Sequence, residues 1–280
     1  MTDLLLTILC STSIALILKQ NDTRQGHPVL LLAGNYFIAA VIGGIYILLA
    51  VDPVFSLQTF IFGMMLAVLF VLAFFAFAKS VSVAGTAMAA VSSRLSVIVP
   101  ILLSVLFFKE TPSHWQLLGF LFALITILLF YRSLKGNDKK PGHLRDYLYL
   151  LGVLLGIGIN DFFMKVFQHW RGEQEKPFFL FMIFFFAFLY TFGYVHLKKI
   201  SIDRNTALLG GVLGIPNIFS SYFLLSALAV LPGIIVYPVT NIGIIVLTTF
   251  AAALLWKERL NRQGKWAMIT GILAILLLTL

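Results

Sequence analysis

Charge is what this chain has least of: 11 % of its 280 residues are Asp, Glu, Lys or Arg. A soluble domain carries about 25 %. With 60 % hydrophobic residues and a mean hydropathy of +1.01, the soluble class is excluded. Cysteine is nearly absent. The single Cys10 falls inside the first apolar run, so no intrachain disulfide can form. No Walker, Rossmann or zinc-protease pattern occurs, and the five His residues are scattered without paired spacing. No cofactor and no metal are expected. The ionic residues that remain are mostly basic, for a net charge of +9. Nineteen of the 20 Lys and Arg residues lie in loops or near the ends of apolar runs, and Arg94 alone lies deep within one. That is the distribution the positive-inside rule produces, so the excess describes topology and no nucleic-acid partner is expected.

What is present is apolar sequence in long runs, each able to cross roughly 30 Å of hydrocarbon. The runs resolve into ten spans at about 2–19, 28–50, 57–80, 84–108, 113–132, 146–168, 177–196, 206–230, 232–256 and 262–280. Met1-Thr-Asp-Leu-Leu-Leu has no basic n-region and no small-residue cleavage site follows it. The first span is therefore expected to be retained. One basic linker bearing Gly and Pro, Ser133 to His143, divides the chain into halves at 1–135 and 143–280. Five spans per half is an odd number, so the second half enters the bilayer inverted relative to the first. Were the N-terminus cytoplasmic, the outer loops would hold 15 basic residues and the inner ones 4. Both termini are accordingly expected outside, with the linker inside.

The halves also share sequence. Gly85-Thr86-Ala87 opens a run that closes on Phe108-Lys109-Glu110, and Gly233-Ile234-Ile235 opens another that closes on Trp256-Lys257-Glu258. A shift of 148 positions superimposes Gly85 on Gly233 and Glu110 on Glu258, and sets Arg94 over Ile242. Gly152 and Gly156 in the sixth span, and Gly210 and Gly214 in the eighth, have the four-residue spacing that lets helix backbones approach closely. The seventh span, Phe178-Phe-Leu-Phe-Met-Ile-Phe-Phe-Phe-Ala-Phe188, is bulky on every face and reads as a peripheral helix bathed in lipid.

Val83-Ala84-Gly85-Thr86-Ala87, Pro100, Phe107-Phe108-Lys109-Glu110 and Gly119, with Leu231-Pro232-Gly233, Lys257-Glu258 and Gly271 in the second half, resemble the EamA-like transporters of the drug/metabolite transporter superfamily. The resemblance covers essentially the whole chain. It implies an all-α integral membrane protein, ten helices in two inverted five-helix repeats around a central cavity lined by spans 1, 3, 4, 6, 8 and 9. Two features depart from it. Thr248 stands where the first copy has Pro100, and many relatives keep both termini in the cytoplasm.

Arg94 is the first candidate site residue. It lies about 15 residues before Lys109, or roughly 22 Å of helix, which places it near the bilayer midplane. An arginine there costs at least about 2.5–3.5 kcal/mol unless it faces the interior with a partner. Its functional reading is a guanidinium for an anionic group of a substrate; its bland reading is a structural ion pair. Asp161 lies at comparable depth and reads either as a gate with Arg94, opened by substrate or by a coupling proton, or as a permanent bridge. Asn160, Ser93, Asn217, Ser221, Tyr222, Tyr237 and Asn241 complete the candidate substrate-binding set, several of them beside Pro216 and Pro238. Interhelical hydrogen bonding is the alternative for each. Lys165 near a helix end reads as a snorkelling side chain, and Glu110 and Glu258 as helix-start residues.

These features make transport of a small anionic or zwitterionic metabolite, such as an amino acid, the leading expectation. The setting is a bacterial cytoplasmic membrane, the partners are lipid and substrate, and the state is monomer or homodimer. Proton-coupled export of cationic drugs is the second reading, weakened by the absence of an acid within the first span. An intramembrane enzyme or non-transporting receptor is the third, and no catalytic constellation supports it.

Overall fold

The structure is a computed structural model that describes residues 1–50, 52–134, 143–255 and 261–280, without the side chains of Asp22, Thr86, Ala87 and Leu134. The described residues form helices α1 (Thr2–Thr23), α2 (Pro28–Leu49), α3 (Leu57–Ala84), α4 (Thr86–Leu95), α5 (Ile98–Phe108), α6 (His114–Leu134), α7 (Leu144–Trp170), α8 (Lys176–Leu197), α9 (Arg204–Val230), α10 (Gly233–Leu255) and α11 (Arg262–Leu278). Helix is what lipid demands, because every backbone donor and acceptor must be satisfied within the segment. Among the described residues, nine stretches of 20 to 28 residues are long and apolar enough to cross a membrane, and α4 and α5 share one of them. α11 has 17 residues and completes the ten spans. Loop side chains fix several starts: Ser56 caps α3, Asp203 caps α9 and Asn261 caps α11. Asp203 accepts from the backbone and hydroxyl of Thr206, and those hydrogen bonds hold its carboxyl below the usual range.

The fourth span departs from expectation in one respect: it is two helices joined by a tight turn at Ser96–Val97. Pro100 supplies the reason. It has no N–H to offer the Ser96 carbonyl, which accepts instead from Val99 N at 3.0 Å, a three-residue step. The Ser96 hydroxyl turns back to the Ser93 carbonyl at 2.6 Å.

Helix packing repeats itself when the halves are exchanged. α2 packs on α9 as α8 packs on α3; α1 packs on α9 as α7 packs on α3; α1 lies on α10 as α7 lies on α4 and α5. Three seams, α2 with α8, α5 with α10 and α6 with α11, map onto themselves. This is the arrangement of an inverted repeat.

Small residues set the close contacts. On α9, Gly210 and Gly214 lie so near α2 that a Cβ would strike the Leu31 and Asn35 carbonyl oxygens, and Gly156 on α7 lies against Ala73 of α3. The seventh span overturns its reading as a lipid-bathed helix. α8 buries Phe179, Leu180, Ile183, Phe184 and Ala187 at the centre of the main core, with Phe179 stacked on Phe167 at 3.6 Å between ring centroids. Bulk on every face fits inside because the partners supply the room. Gly43 of α2 faces Phe181, and Gly63 of α3 faces Met182. Replacing Gly210 by Val is expected to cost about 1–3 kcal/mol of stability through overpacking. A lower melting temperature of the purified protein would show it. Gly193→Ala, with nothing within 4 Å of its added Cβ, should not lower melting.

Candidate functional site

The site grows from the turn in the fourth span. Ser92 ties α4 to α7 by donating to the Leu150 carbonyl at 2.5 Å, and this leaves Arg94, in the last turn of α4, directed at α10. There Arg94 Nη1 donates to Asn241 Oδ1 at 3.4 Å. Asn241 Nδ2 donates to the Tyr237 carbonyl at 3.2 Å, one turn back along α10. The Tyr237 hydroxyl donates to the Asp161 carbonyl on α7 at 2.6 Å. One line of polar contacts therefore runs from the first half to the second and returns to the helix bearing Asp161.

Asp161 is not the direct partner of Arg94. The two side chains interact electrostatically but make no ion pair, and among the described residues no donor reaches the Asp161 carboxylate. Both side chains are half-buried. Asn160 precedes Asp161, and its Oδ1 is buried with no hydrogen-bond partner among the described residues; the hydroxyls of Thr12 and Thr240 are likewise unpartnered. Ser11 of α1 and Ser220 of α9 share a hydrogen bond at 2.7 Å at similar depth. A middle layer drawn from α1, α4, α7, α9 and α10 thus holds a cation, an anion and spare hydrogen-bonding capacity.

Other candidates are placed differently. Asn217 donates to Asn35 at 3.0 Å and joins α9 to α2. Ser221 bonds the Asn217 carbonyl within its own helix. Tyr222 lies under the ammonium of Lys176 at 4.2 Å and edge-on to Tyr46, toward the face that carries the termini. Ser93 is half-buried beside Arg94, and its carbonyl accepts from Ser96.

Two lysines were not evident as interior residues. Lys165 is 6 % exposed, so it does not snorkel; its ammonium binds the Glu110 carboxylate and lies 3.4 Å from Ser104 Oγ. Glu110 in turn accepts from the backbone N–H groups of Gly233 and Ile234 at 3.1 and 3.0 Å. It caps a helix start as expected, but the helix is α10 of the other half. Lys176 is 2 % exposed and donates to Ser226 at 2.5 Å. The spacing of Lys165 one turn after Asp161 was the available signal. Glu258 and Lys257 lie outside the described residues. The electrostatic layer is flanked by an open cavity at each face. One, of about 440 Å³, is lined by Phe108, Glu110, Lys165, His169 and Leu231. The other, of about 610 Å³, lies between 21–27 and 200–209.

Ten apolar spans in two interlocked halves, with a charged layer at mid-depth, make this a multi-pass membrane protein. Residues 3–132, just under half of the chain, match the model of the EamA-like transporter family, in agreement with the resemblance carried by the sequence motifs. An uncharacterized protein of Haemophilus influenzae (strain ATCC 51907 / DSM 11121 / KW20 / Rd) is 29 % identical over 294 aligned residues, covering 98 % of this chain and 96 % of its own. A protein crystal structure superposes with a TM-score of 0.80 over 100 % of this chain and 98 % of its own, at 15 % identity. That likeness is one of fold alone.

Tyr237→Phe removes one interhelical hydrogen bond and keeps the ring. It is expected to lower stability by about 0.6 kcal/mol, and by no more than about 1.7. Unfolding of the purified protein in mixed micelles measures it.

Proposed function

We propose that the chain is a secondary active transporter of a small anionic or zwitterionic metabolite, such as an amino acid, held at Arg94 and Asp161 and moved by alternating access. The observation that supports this is the state of the two charges. Arg94 is held by a neutral amide instead of a carboxylate, and Asp161 has no direct partner. A guanidinium so placed can accept a substrate carboxylate in a bidentate pair. The carboxylate of Asp161, a few ångströms away along the membrane normal by helix rise, suits an ammonium group. Unpartnered Asn160, Thr12 and Thr240 offer hydrogen bonds to the remaining polar atoms of such a ligand. Ser93, Asn217, Ser221 and Tyr222 then act through packing and hydrogen bonding between helices. In this reading both termini face outside a cell membrane, as the loop charges favour.

A binding site between inverted repeats is open to one face at a time as the repeats rock. The polar line from Arg94 to Tyr237 crosses between the halves, so a ligand competing for Arg94 loosens contacts that join them. Protonation of Asp161 is the coupling step in this scheme, because it removes the anion that otherwise balances Arg94.

Arg94→Ala is expected to reduce uptake into reconstituted vesicles by at least about tenfold, the loss of one charge-assisted contact. Melting should remain near that of the parent. Arg94→Lys keeps the charge but not the fork, so partial recovery is expected. Unchanged uptake of every tested metabolite by Arg94→Ala would remove the residue from the mechanism. A thermal-shift screen of the purified protein against metabolites supplies the candidates, since a ligand of the folded state raises apparent stability.

The free carboxylate of Asp161 also favours one second reading, proton-driven export of cationic drugs. Arg94 opposes it by repulsion. Resistance to quaternary amines in a susceptible host, lost in Asp161→Asn and kept in Arg94→Ala, would select that reading over the first.

A further inference from the structure

The sequence repeat marks its ends with a glycine and a Lys-Glu pair, and the first Lys-Glu meets the second glycine in space. Glu110, just past α5 of the first half, accepts from the first two backbone N–H groups of α10 in the second half, at Gly233 and Ile234. These donors have no partner inside their own helix. The same carboxylate takes the ammonium of buried Lys165 on α7, which also rests over the ring of Phe108 at 4.7 Å. A Cβ at Gly233 would come within 2.8 Å of both Lys165 Nζ and Ser104 Oγ. The glycine is what allows the cluster to close. Above it opens the cavity of about 440 Å³ at the face that carries the termini. Below it, one turn deeper on the same two helices, lie Tyr237 and Asp161.

We propose that Glu110 is the latch of the gate on the face that carries the termini. One carboxylate joins α5 to α7 and α10, so the two halves cannot part there until it lets go. All three partners of Glu110 belong to the second half. Breaking the contact leaves two helix-end N–H groups and a buried ammonium unpaired, a concentrated cost that holds the face closed until water enters from the vestibule to solvate them. The latch lies between the vestibule and the site at Arg94 and Asp161, and any ligand passing to that face must displace it. This rests on the transport reading.

The test reads conformation without substrate. In a Cys10→Ser background, spin labels at Phe107→Cys and Val230→Cys sit on exposed positions of α5 and α9 at this face. Pulsed electron–electron distance measurement in lipid nanodiscs gives the separation of the halves. Glu110→Gln is expected to raise the ratio of the longer, open population to the closed one by about tenfold, the effect of losing a charge-assisted hydrogen bond. The Glu110→Gln, Lys165→Met double variant leaves no buried charge unpaired and keeps a folded protein available for the same measurement. It is expected to open to a similar extent. A distance distribution identical to the parent in the folded double variant overturns the latch. The transport reading is judged separately by uptake in Arg94→Ala, so the two stand or fall by different measurements.

Discussion

A bilayer offers no hydrogen bonds, and the rest of this structure depends on that constraint. Among the described residues most polar atoms at depth are matched inside the protein, and a few, Asn160 Oδ1 and the Thr12 and Thr240 hydroxyls among them, are not. Backbone groups are spent within helices, which leaves helix ends and side chains as the only polar means of joining one half to the other. Two such junctions exist among the described residues at α10. Asn241 and Tyr237 connect it to Arg94 and to the Asp161 carbonyl, and its first two N–H groups hold Glu110. Further polar links across the halves, such as Ser11 with Ser220 and Asn217 with Asn35, are joined by close packing, made by glycines that let α9 meet α2 and α7 meet α3.

The ten spans were legible because hydropathy and length decide them almost alone. The break in the fourth span was written in Pro100, whose missing N–H acts four residues upstream at Ser96, where a run of apolar letters gives no sign of it. The seventh span was misread for a different reason. Hydropathy describes what a helix is and says nothing about what faces it, and the room for this one is on α2 and α3, at Gly43 against Phe181 and Gly63 against Met182. Interior charge was half legible. Arg94 stood out because it is alone in its span, whereas Lys165 and Glu110 sit at span ends, where a charged residue ordinarily meets water. Their pairing joins positions 55 residues apart in different halves, a relation that no local pattern contains.

The candidate site shows a similar division. Depth along each helix grouped Arg94, Asp161, Tyr237 and Asn241, which one line of contacts also links, because rise per residue is a fixed length. Azimuth around each helix was not available from depth, and so Tyr222 and Asn217 were grouped with residues they do not meet. Tyr222 faces Lys176, and Asn217 faces Asn35. Where symmetry between the repeats fails, at Arg94 opposite Ile242, the structure places a charge against the one polar side chain next to that isoleucine.

In the proposed alternating-access scheme the self-paired seams have a mechanical meaning. Elements that map onto themselves under exchange of the halves sit astride the pseudo-twofold axis, and points on an axis travel least when the halves trade places. On that reading the α2–α8 seam, lined by Gly43 and filled by the rings of α8, serves as an axle. Its stiffness is an asset, since a firm bearing lets small displacements at mid-depth become wide ones at the rims where the latch and the loops lie.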